Sequence, residues 1–336
     1  MQEMYPFQLS QTLYPSEKKP RILMAAPEHL KDNMEAIARK FEDSADFVLV
    51  KDECEAILEN VDGVHGILGC PRHHFTEELV SRNNGALRWL HVGGAGVEQF
   101  MIERVVTSDI VLTNGQILQG PECADHALAL LLCLSRNLKR VITKAPTPHP
   151  RPIELRGKSA VIVGVGGIGM LIAERLNAFG VRVTGVDADL IPMLSTFERT
   201  VTVDRLNDVV GEADFVLCAA PHTATSNPLF DEAFFNCVKM GAYFVNVSRG
   251  RLVDTDALVA ALVDGRVGAA GLDVTDPEPL PENHPLTKME NVVVSPHIAG
   301  LSDLNRGRTF DLMEENVRRF ISGEPLLNVV NKTLGY

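Results

Sequence analysis

Residues 160–189 have the sequence AVIVGVGGIGMLIAERLNAFGVRVTGVDAD, which is the strongest local signal in the chain. An apolar run leads into Gly164-x-Gly166-x-x-Gly169, and apolar residues then recur at helical spacing up to Gly180. At this spacing the first glycine permits a tight turn, the second lets the backbone approach a pyrophosphate, and the third lets helix and strand pack closely. The free N–H groups that open the helix favour an anion. The pattern predicts a β-α-β unit that binds a dinucleotide.

The acid at the end of this unit indicates which dinucleotide is bound. Asp187 lies close to the spacing of about 20 residues expected for a carboxylate that binds the adenosine ribose. Its charge would repel a 2′-phosphate, Asp189 adds a second negative charge, and residues 188–191 contain neither arginine nor lysine. We therefore expect NAD rather than NADP. The competing interpretation is that Asp187 merely ends a strand in a turn.

The composition is that of an ordinary globular protein, because 45% of the 336 residues are hydrophobic and 23% are charged. This length favours two domains. A net charge of −12 argues against nucleic acid as the main partner, since proteins that bind nucleic acid present a basic surface. The longest apolar run, residues 127–134, is too short for a bilayer, which needs about 20 residues. We expect a cytoplasmic protein that is not bound to a membrane.

Six cysteines occur without CxxC spacing, which predicts reduced thiols and no metal site. Short apolar runs alternate with helical patterns along the chain, which is typical of α/β folds with parallel sheets. We expect two parallel-sheet domains, Rossmann-like or flavodoxin-like, separated by a cleft that closes before reaction. The predicted substrate-binding domain comprises residues 1–121 and 302–336, and the predicted NAD-binding domain comprises residues 122–301.

The predicted elements follow from this alternation. The predicted strands are residues 21–25, 47–50, 66–68, 89–92 and 110–112 in the first domain, and 160–164, 182–186, 215–218, 243–247, 269–272 and 292–295 in the second. A long helix is predicted over residues 122–139 and a final helix over 302–322. The four prolines within residues 145–152 predict an irregular connector between them.

Three later segments, YFVNVSRGRLVDTDAL, AAGLDVTDPEPLPENHPL and NVVVSPHIAG, each place polar groups after an apolar strand. Ligands of open α/β sheets bind at such strand ends. Arg249 could anchor a substrate carboxylate through two hydrogen bonds, and His297 could donate a proton to a carbonyl oxygen. Glu278 could hydrogen-bond the histidine and favour its protonated form. These three kinds of group suit hydride transfer to a 2-oxo acid.

With these segments, the chain resembles the D-isomer-specific 2-hydroxyacid dehydrogenases from its GGAG turn at residues 93–96 to its C-terminal helix. The resemblance implies that Arg249, Glu278 and His297 are catalytic. Glu278 is chosen over Asp276 because it directly precedes Pro279. The implied reaction transfers a hydride between NAD(H) and a 2-oxo acid or D-2-hydroxy acid without a metal, and the implied assembly is a homodimer.

The resemblance also implies binding residues. Asp273 is implied to lie near the nicotinamide amide and Ser226 near the cofactor phosphates or ribose. Substrate contacts are implied for the N–H groups of Ala95 and Gly96, beside Arg249 and His297. The full implied cofactor set is Gly164, Gly166, Gly167, Ile168, Gly169, Asp187, Ala220, Pro221, Ser226, Val247, Ser248, Arg249, Asp273, His297 and Gly300.

The chain departs from the family pattern at two points, which concern packing rather than chemistry. Asp125 stands before His126 where relatives often have glutamate, and the connector lacks the tryptophan that many members carry. His126 itself is expected to pack within its helix.

Two other functions stay open: an NAD-sensing binding protein of the corepressor type, and a dehydrogenase of the same fold that acts on formate or phosphite. The identity of the 2-oxo acid is left open, with selectivity expected around residues 70–75 and the start of the last helix.

Overall fold

A computed structural model describes residues 19–145, 150–189, 195–223 and 228–335. The chain divides into two compact units, one formed by Met1–Leu118 with Asp303–Tyr336 and the other by Gln119–Ser302. Each unit contains one sheet in which all strand pairs are parallel. The predicted α/β class with two parallel-sheet domains is confirmed. Within the described ranges, no helix has the length and apolar character needed to cross a membrane.

The first unit contains a five-stranded sheet with the order β2-β1-β3-β4-β5. Its strands are β1 (Arg21–Ala26), β2 (Asp46–Lys51), β3 (Gly66–Leu68), β4 (Trp89–His91) and β5 (Val111–Thr113), and its helices are α1 (Lys31–Lys40), α2 (Cys54–Asn60), α3 (Glu77–Arg82), α4 (Glu103–Val106) and the C-terminal α12 (Asn305–Ser322). The ring centroid of Trp89 lies 5.0 Å from that of Phe320 on α12, so the C-terminal helix belongs to this core.

The second unit contains a seven-stranded sheet with the order β12-β11-β10-β9-β6-β7-β8. The order reverses at β6, so the chain winds outward in both directions from the Gly-rich turn. Its strands are β6 (Ser159–Val163), β7 (Arg182–Asp187), β8 (Arg199–Thr202), β9 (Phe215–Cys218), β10 (Ala242–Asn246), β11 (Val267–Leu272) and β12 (Val292–Val294), and its helices are α5 (Gly120–Ser135), α6 (Leu138–Ile142), α7 (Gly167–Ala178), α8 (Leu206–Val210), α9 (Glu232–Cys237), α10 (Thr255–Val263) and α11 (Pro285–Lys288).

Apolar residues of the second sheet alternate between two cores, one on each face. Ile162 belongs to a core that includes residues of α5 and α7, whereas its neighbours Val161 and Val163 belong to a core that includes residues of α8, α9 and α10. This alternation follows from the two-residue period of a strand, and burial on both faces explains why these strands are apolar throughout.

The structure differs from the prediction at two elements. The helix predicted over residues 122–139 ends at Ser135, because Asn137 has a left-handed backbone with φ 57°, and α6 begins separately at Leu138. The strand β8 was not predicted, because it is a short edge strand without buried residues. Of the predicted connector, residues 146–149 lie outside the described residues, and residues 150–152 are in neither helix nor strand.

Candidate active site

Five neighbouring strands of the second sheet end in register. Val163 pairs with Cys218, Cys218 with Asn246, Asn246 with Leu272, and Leu272 with Val294. The chain therefore leaves β6, β9, β10, β11 and β12 at the same edge of the sheet. The predicted catalytic residues Arg249, Glu278 and His297 follow β10, β11 and β12 at this edge, as expected for an open α/β sheet.

The Gly-rich turn leaves β6 at this edge. Gly164 has φ +94°, and a Cβ there would overlap the backbone nitrogen of Ala220. A Cβ on Gly169 would overlap the carbonyl oxygen of Gly164. In contrast, a Cβ on Gly166 would meet nothing within 4 Å among the described residues, so the helix begins beside open space. Helix α7 begins at Gly167, and its first N–H groups suit a pyrophosphate in that space.

The carboxylate of Asp187 is held at the end of β7 by backbone donors. The N–H of Val165 donates to its Oδ2 at 2.6 Å, and the N–H of Ala188 donates to its Oδ1 at 2.8 Å. Each oxygen can still accept a further hydrogen bond. Asp189 is exposed beside it. Asp187 can therefore accept hydrogen bonds from two ribose hydroxyls, and the local charge at this end of the turn is negative.

Arg249 lies on a tight turn after β10. The buried side chain of Asn246 organises this turn, because its Nδ2 donates to the Arg249 carbonyl at 2.9 Å and its Oδ1 accepts from the Ser248 N–H at 3.0 Å. The Ser248 hydroxyl donates to the carbonyl of Ala220, which ties this turn to the one after β9. The half-buried guanidinium of Arg249 donates from Nη1 to the Ser248 carbonyl at 2.8 Å. Asn246 was not predicted to have this role.

The turn that carries Arg249 touches the loop that carries Glu278. A Cβ on Gly250 would overlap the carbonyl group of Thr275, so only glycine permits this approach of two backbones. The N–H of Thr275 in turn donates to Oε2 of Glu278 at 3.3 Å. The other carboxylate oxygen, Oε1, lies 2.7 Å from Nδ1 of His297. One continuous set of contacts therefore connects the arginine turn to the histidine.

His297 follows β12 in an uncommon backbone conformation, with φ 55°. Its backbone N–H donates to the carbonyl of Asp273 at 2.9 Å. The side chains of His297 and Glu278 are 44% and 42% exposed, so the pair is open to solvent and to a ligand. Nε2 of His297 has no hydrogen-bond partner in the part of the chain that the structure describes. With Nδ1 directed to Glu278, Nε2 is the nitrogen left for a substrate.

The carboxylate of Asp273 holds the loop that carries His297 by hydrogen bonds on both sides of this residue. It is 1% exposed, and its Oδ1 accepts from the Ser295 hydroxyl at 2.6 Å and the Ile298 N–H at 3.0 Å. Its Oδ2 accepts from the Ala299 N–H at 2.9 Å. Burial by itself would raise the pKa of Asp273, but hydrogen bonds from His126, Ser295, Ala299 and Ile298 outweigh burial and lower this pKa below its usual range. Its implied contact with the nicotinamide stays a prediction.

Other implied cofactor residues lie along the same edge. Ala220 and Pro221 follow β9, and the N–H of Val247 donates to the carbonyl of Cys218 at 3.3 Å. A Cβ on Gly300 would come within 3.1 Å of the Gln119 side chain. Ile168 belongs to the first turn of α7. The remaining implied residue, Ser226, lies outside the described residues.

The predicted substrate loop belongs to the first unit. Ala95 and Gly96 follow β4, and the Asn114 side chain donates to the Ala95 carbonyl at 2.7 Å. The N–H of Gly115 donates to the carbonyl of Gly94 at 2.8 Å, which adds a second tie between neighbouring turns. Across the described ranges, the N–H groups of Ala95 and Gly96 donate to no protein acceptor. They are therefore available to an anion.

His126 has a polar role that the sequence pattern did not predict. Its Nε2 lies 2.8 Å from Oγ of Ser295 and 3.3 Å from Oδ1 of Asp273. His126 lies on α5 and contacts the strand end that leads to His297. The only available signal was Ser295 in the SPHIAG segment, where a hydroxyl stands two residues before the histidine.

The fold and this edge define a Rossmann-type dinucleotide-binding protein, and comparison with known proteins narrows the class. Residues 128–299 match the D-isomer specific 2-hydroxyacid dehydrogenase family, NAD binding domain. The chain is 38% identical over 255 residues to a glyoxylate reductase of Thermofilum pendens, which covers 73% of this chain and 75% of that protein. It is 30% identical over 274 residues to the glyoxylate reductase/hydroxypyruvate reductase of Homo sapiens, which covers 79% and 84%.

A solved structure agrees with the sequence comparison. The NADPH-dependent glyoxylate/hydroxypyruvate reductase of Sinorhizobium meliloti superposes with a TM-score of 0.77 at 26% identity, over 94% of this chain and 99% of that chain. The chain belongs to the D-isomer specific 2-hydroxyacid dehydrogenase family. It is an oxidoreductase with an NAD-binding domain, and it transfers a hydride between NAD(H) and a 2-oxo acid. The predicted family, reaction class and nicotinamide cofactor are confirmed.

Proposed function

We propose that this enzyme reduces small 2-oxo acids of the glyoxylate and hydroxypyruvate type with NADH, and that His297 is the proton donor. The observation that carries the proposal is the pair formed by His297 and Glu278, whose Nδ1 and Oε1 lie 2.7 Å apart at the carboxyl edge of the sheet. The names of the human and Thermofilum pendens relatives support the substrate class.

The proposed roles follow from what each side chain can do. Bound NADH supplies the hydride. Arg249 holds the substrate carboxylate, because a guanidinium can donate two parallel hydrogen bonds to it. Nε2 of His297 donates a proton to the carbonyl oxygen, which prevents a full alkoxide from developing. Glu278 orients the imidazole through Nδ1, and the loop contacts of Asp273 keep the ring at its place on the strand end.

The proposed preference for NAD rests on Asp187. Its carboxylate is held at the end of β7 with spare acceptor capacity, and the exposed Asp189 adds a second charge that disfavours a 2′-phosphate. The open space beside Gly166 fits a pyrophosphate at the start of α7. The Sinorhizobium meliloti relative is NADPH-dependent, so the preference has to be measured directly.

We further propose that residues 1–121 with 302–336 bind the substrate and residues 122–301 bind the cofactor. Ala95 and Gly96 would supply N–H donors to the substrate carboxylate. The 3-10 helix Arg72–His74 after β3 and the start of α12 would contact the remainder of the substrate. These loops follow the strands of the first unit, where ligands of parallel sheets bind.

We propose a homodimer in the cytoplasm. Helix α6 exposes Leu138, Val141 and Ile142 to the extent of 45%, 59% and 76%, and an apolar face of this kind favours a protein partner. Six free cysteines support a reducing compartment. Light scattering coupled to gel filtration would measure the mass, and Ile142→Glu is expected to yield a monomer if α6 lies in the interface.

The deciding experiment is a rate panel with purified protein. Glyoxylate, hydroxypyruvate, pyruvate and phenylpyruvate would each be supplied with NADH and with NADPH, and the oxidation of the cofactor would be followed by absorbance. We expect the highest kcat/KM for glyoxylate or hydroxypyruvate with NADH. Binding of NADH without turnover of any 2-oxo acid would favour the NAD-sensing alternative. Reduction of NAD by formate or phosphite would favour the other dehydrogenase alternative.

A further inference from the structure

His126 on α5 connects a helix that carries no proposed catalytic residue to the loop that carries His297. Its side chain is only 22% exposed, and its Nε2 lies 2.8 Å from Oγ of Ser295. The Ser295 hydroxyl donates to Oδ1 of Asp273 at 2.6 Å. Asp273 then accepts hydrogen bonds from the N–H groups of Ile298 and Ala299, on the C-terminal side of His297.

The packing of α5 on the sheet brings His126 to this place. A Cβ on Gly271 would lie 2.9 Å from Cβ of Leu130, so α5 crosses β11 at very close range. His126 precedes Leu130 by four residues and therefore lies on the same face of the helix. Leu130 lies over Gly271, and His126, one helical turn earlier, lies near the end of β11, where Asp273 begins the next loop. The contact is thus a result of tight helix packing against a glycine.

The directions of these hydrogen bonds can be assigned. A hydroxyl has one proton, and that of Ser295 is donated to the Asp273 carboxylate. Oγ of Ser295 can therefore only accept from His126, so Nε2 of His126 carries a proton. The donors run from imidazole to hydroxyl to carboxylate, and Nε2 of His126 also lies 3.3 Å from Oδ1 of Asp273 itself. A reversed chain would leave the buried carboxylate with one donor fewer, at a cost that burial increases.

We propose that His126 is a positioning residue for His297, acting through Ser295 and Asp273. It fixes the Asp273 carboxylate from the α5 side, while the carboxylate holds both sides of the left-handed residue in the loop. Without this support the loop can relax from φ 55° toward commoner conformations and the imidazole loses its alignment. The proposal rests on the proposed role of His297 as proton donor, but one of its measurements below is independent of turnover.

The test compares His126→Leu, which removes the donor, with His126→Gln, which keeps an N–H at similar reach. We expect kcat of His126→Leu to fall about 10-fold while KM for NADH stays within about 2-fold, because only alignment of the proton donor is lost. His126→Gln should recover kcat to within about 3-fold of the natural enzyme. Asp125→Asn is the matched control, since it removes the ion pair with Arg175 from the adjacent position and should leave kcat unchanged.

Ser295→Ala provides the coupling measurement. We expect Ser295→Ala alone to lower kcat about 10-fold as well. Because both residues act through one carboxylate, the double variant of His126→Leu with Ser295→Ala should be about as slow as the slower single variant, whereas independent effects would multiply to about 100-fold. Hydrogen–deuterium exchange of the cofactor-free protein gives a readout that does not need catalysis. The peptide that covers residues 295–299 should exchange faster in His126→Leu than in the natural protein or in Asp125→Asn.

Three results would overturn the proposal: an unchanged kcat in His126→Leu, an equally slow His126→Gln, or multiplicative effects in the double variant. Faster exchange in His126→Leu without any 2-oxo acid turnover by the natural protein would retain the positioning role and reject the proposed function. Unchanged exchange in an active protein would reject the positioning role alone. Thermal melting of each variant confirms that all comparisons are made on folded protein.

Discussion

Nδ1 of His297 lies 2.7 Å from Oε1 of Glu278, and the second oxygen of the same carboxylate accepts the Thr275 N–H at 3.3 Å. The glutamate thus has both oxygens engaged and offers the histidine a single orientation. His297→Asn should lower kcat about 10³-fold, which is within the range for loss of a general acid. Glu278→Gln should lower kcat about 10-fold. Steady-state kinetics would measure both, with NADH binding followed by fluorescence as a control. Near-normal turnover of His297→Asn would refute the proton-donor role.

Arg249→Lys tests recognition of the carboxylate. Lysine keeps the charge but cannot form the paired hydrogen bonds of a guanidinium, so kcat/KM should fall about 100-fold, mostly through KM. Arg251→Lys is the matched control, because this exposed arginine stands two residues further on the same turn. Steady-state rates across a range of 2-oxo acid concentrations separate KM from kcat. Equal effects of the two substitutions would show that Arg249 contributes charge alone.

Asp187→Asn tests the proposed cofactor preference. Asparagine can keep the hydrogen bond from Val165 but removes the charge, so the ratio of kcat/KM for NADH over NADPH should fall at least about 10-fold. Asp189→Asn should lower the same ratio less, because the exposed carboxylate acts through solvent. If the natural enzyme already used NADPH as well as NADH, this interpretation of Asp187 would be incorrect.

Substitution by alanine should lower stability at one glycine of the Gly-rich turn and weaken cofactor binding at another. Gly169→Ala places a methyl group on the carbonyl oxygen of Gly164, so it should lower Tm by several degrees, as expected for a loss of about 2 kcal/mol. Gly166→Ala meets open space and should leave Tm unchanged while weakening NADH binding at least about 10-fold. Calorimetry and fluorescence titration provide the two measurements. Equal losses of Tm would contradict the geometry of the turn.

The buried side chain of His91 predicts that the unfolding free energy of the first unit falls in acid. It is 1% exposed, its Nδ1 lies 2.8 Å from Oγ1 of Thr113, and burial lowers its pKa from 6.5 to about 4. The unfolded chain binds a proton between these values and the folded chain does not, so unfolding free energy falls by about 1.4 kcal/mol per pH unit as pH drops through this window. The contribution of His91 to the unfolding free energy is complete above pH 6.5 and is lost progressively as the pH falls toward 4.

His91→Asn keeps a polar group near Thr113 without a titrating ring. Between pH 7 and pH 5 the natural protein should lose about 2 kcal/mol more unfolding free energy than this variant. Trp89 is the single tryptophan and is buried in the same unit, so its fluorescence in urea reports this unit specifically. Parallel pH profiles of the two proteins would show that His91 does not cause the loss.

The sequence predicted well which strands the candidate residues follow, because the apolar period locates strand ends and parallel sheets align those ends. Arg249, Asp273 and His297 were each placed after the correct strand for this reason. What could not be predicted were contacts set by packing between distant segments. The approach of Gly250 to Thr275 and that of Leu130 to Gly271 depend on two backbones meeting, and no local pattern records such a meeting.

The elements that differed have local causes as well. Asn137 ends α5 with a left-handed backbone, but asparagine also occurs inside helices, so the break carried no strong signal. Among the described residues, strand β8 pairs with β7 alone and has no buried residue, so it lacked the apolar run by which the other strands were recognised. Asn246 is a buried amide at a strand end, and its role depends on a turn that forms only after the strand has paired.

The left-handed backbone at position 297 sets stability against activity. In this conformation a residue with a Cβ lowers the unfolding free energy by roughly 1 kcal/mol, and glycine would remove this loss. His297→Gly should therefore be inactive yet retain its melting temperature, in spite of the lost contact with Glu278. A screen of variants that rewards heat resistance alone would tolerate or enrich changes at the position of the proposed proton donor, so any such screen of this enzyme has to select for activity at the same time.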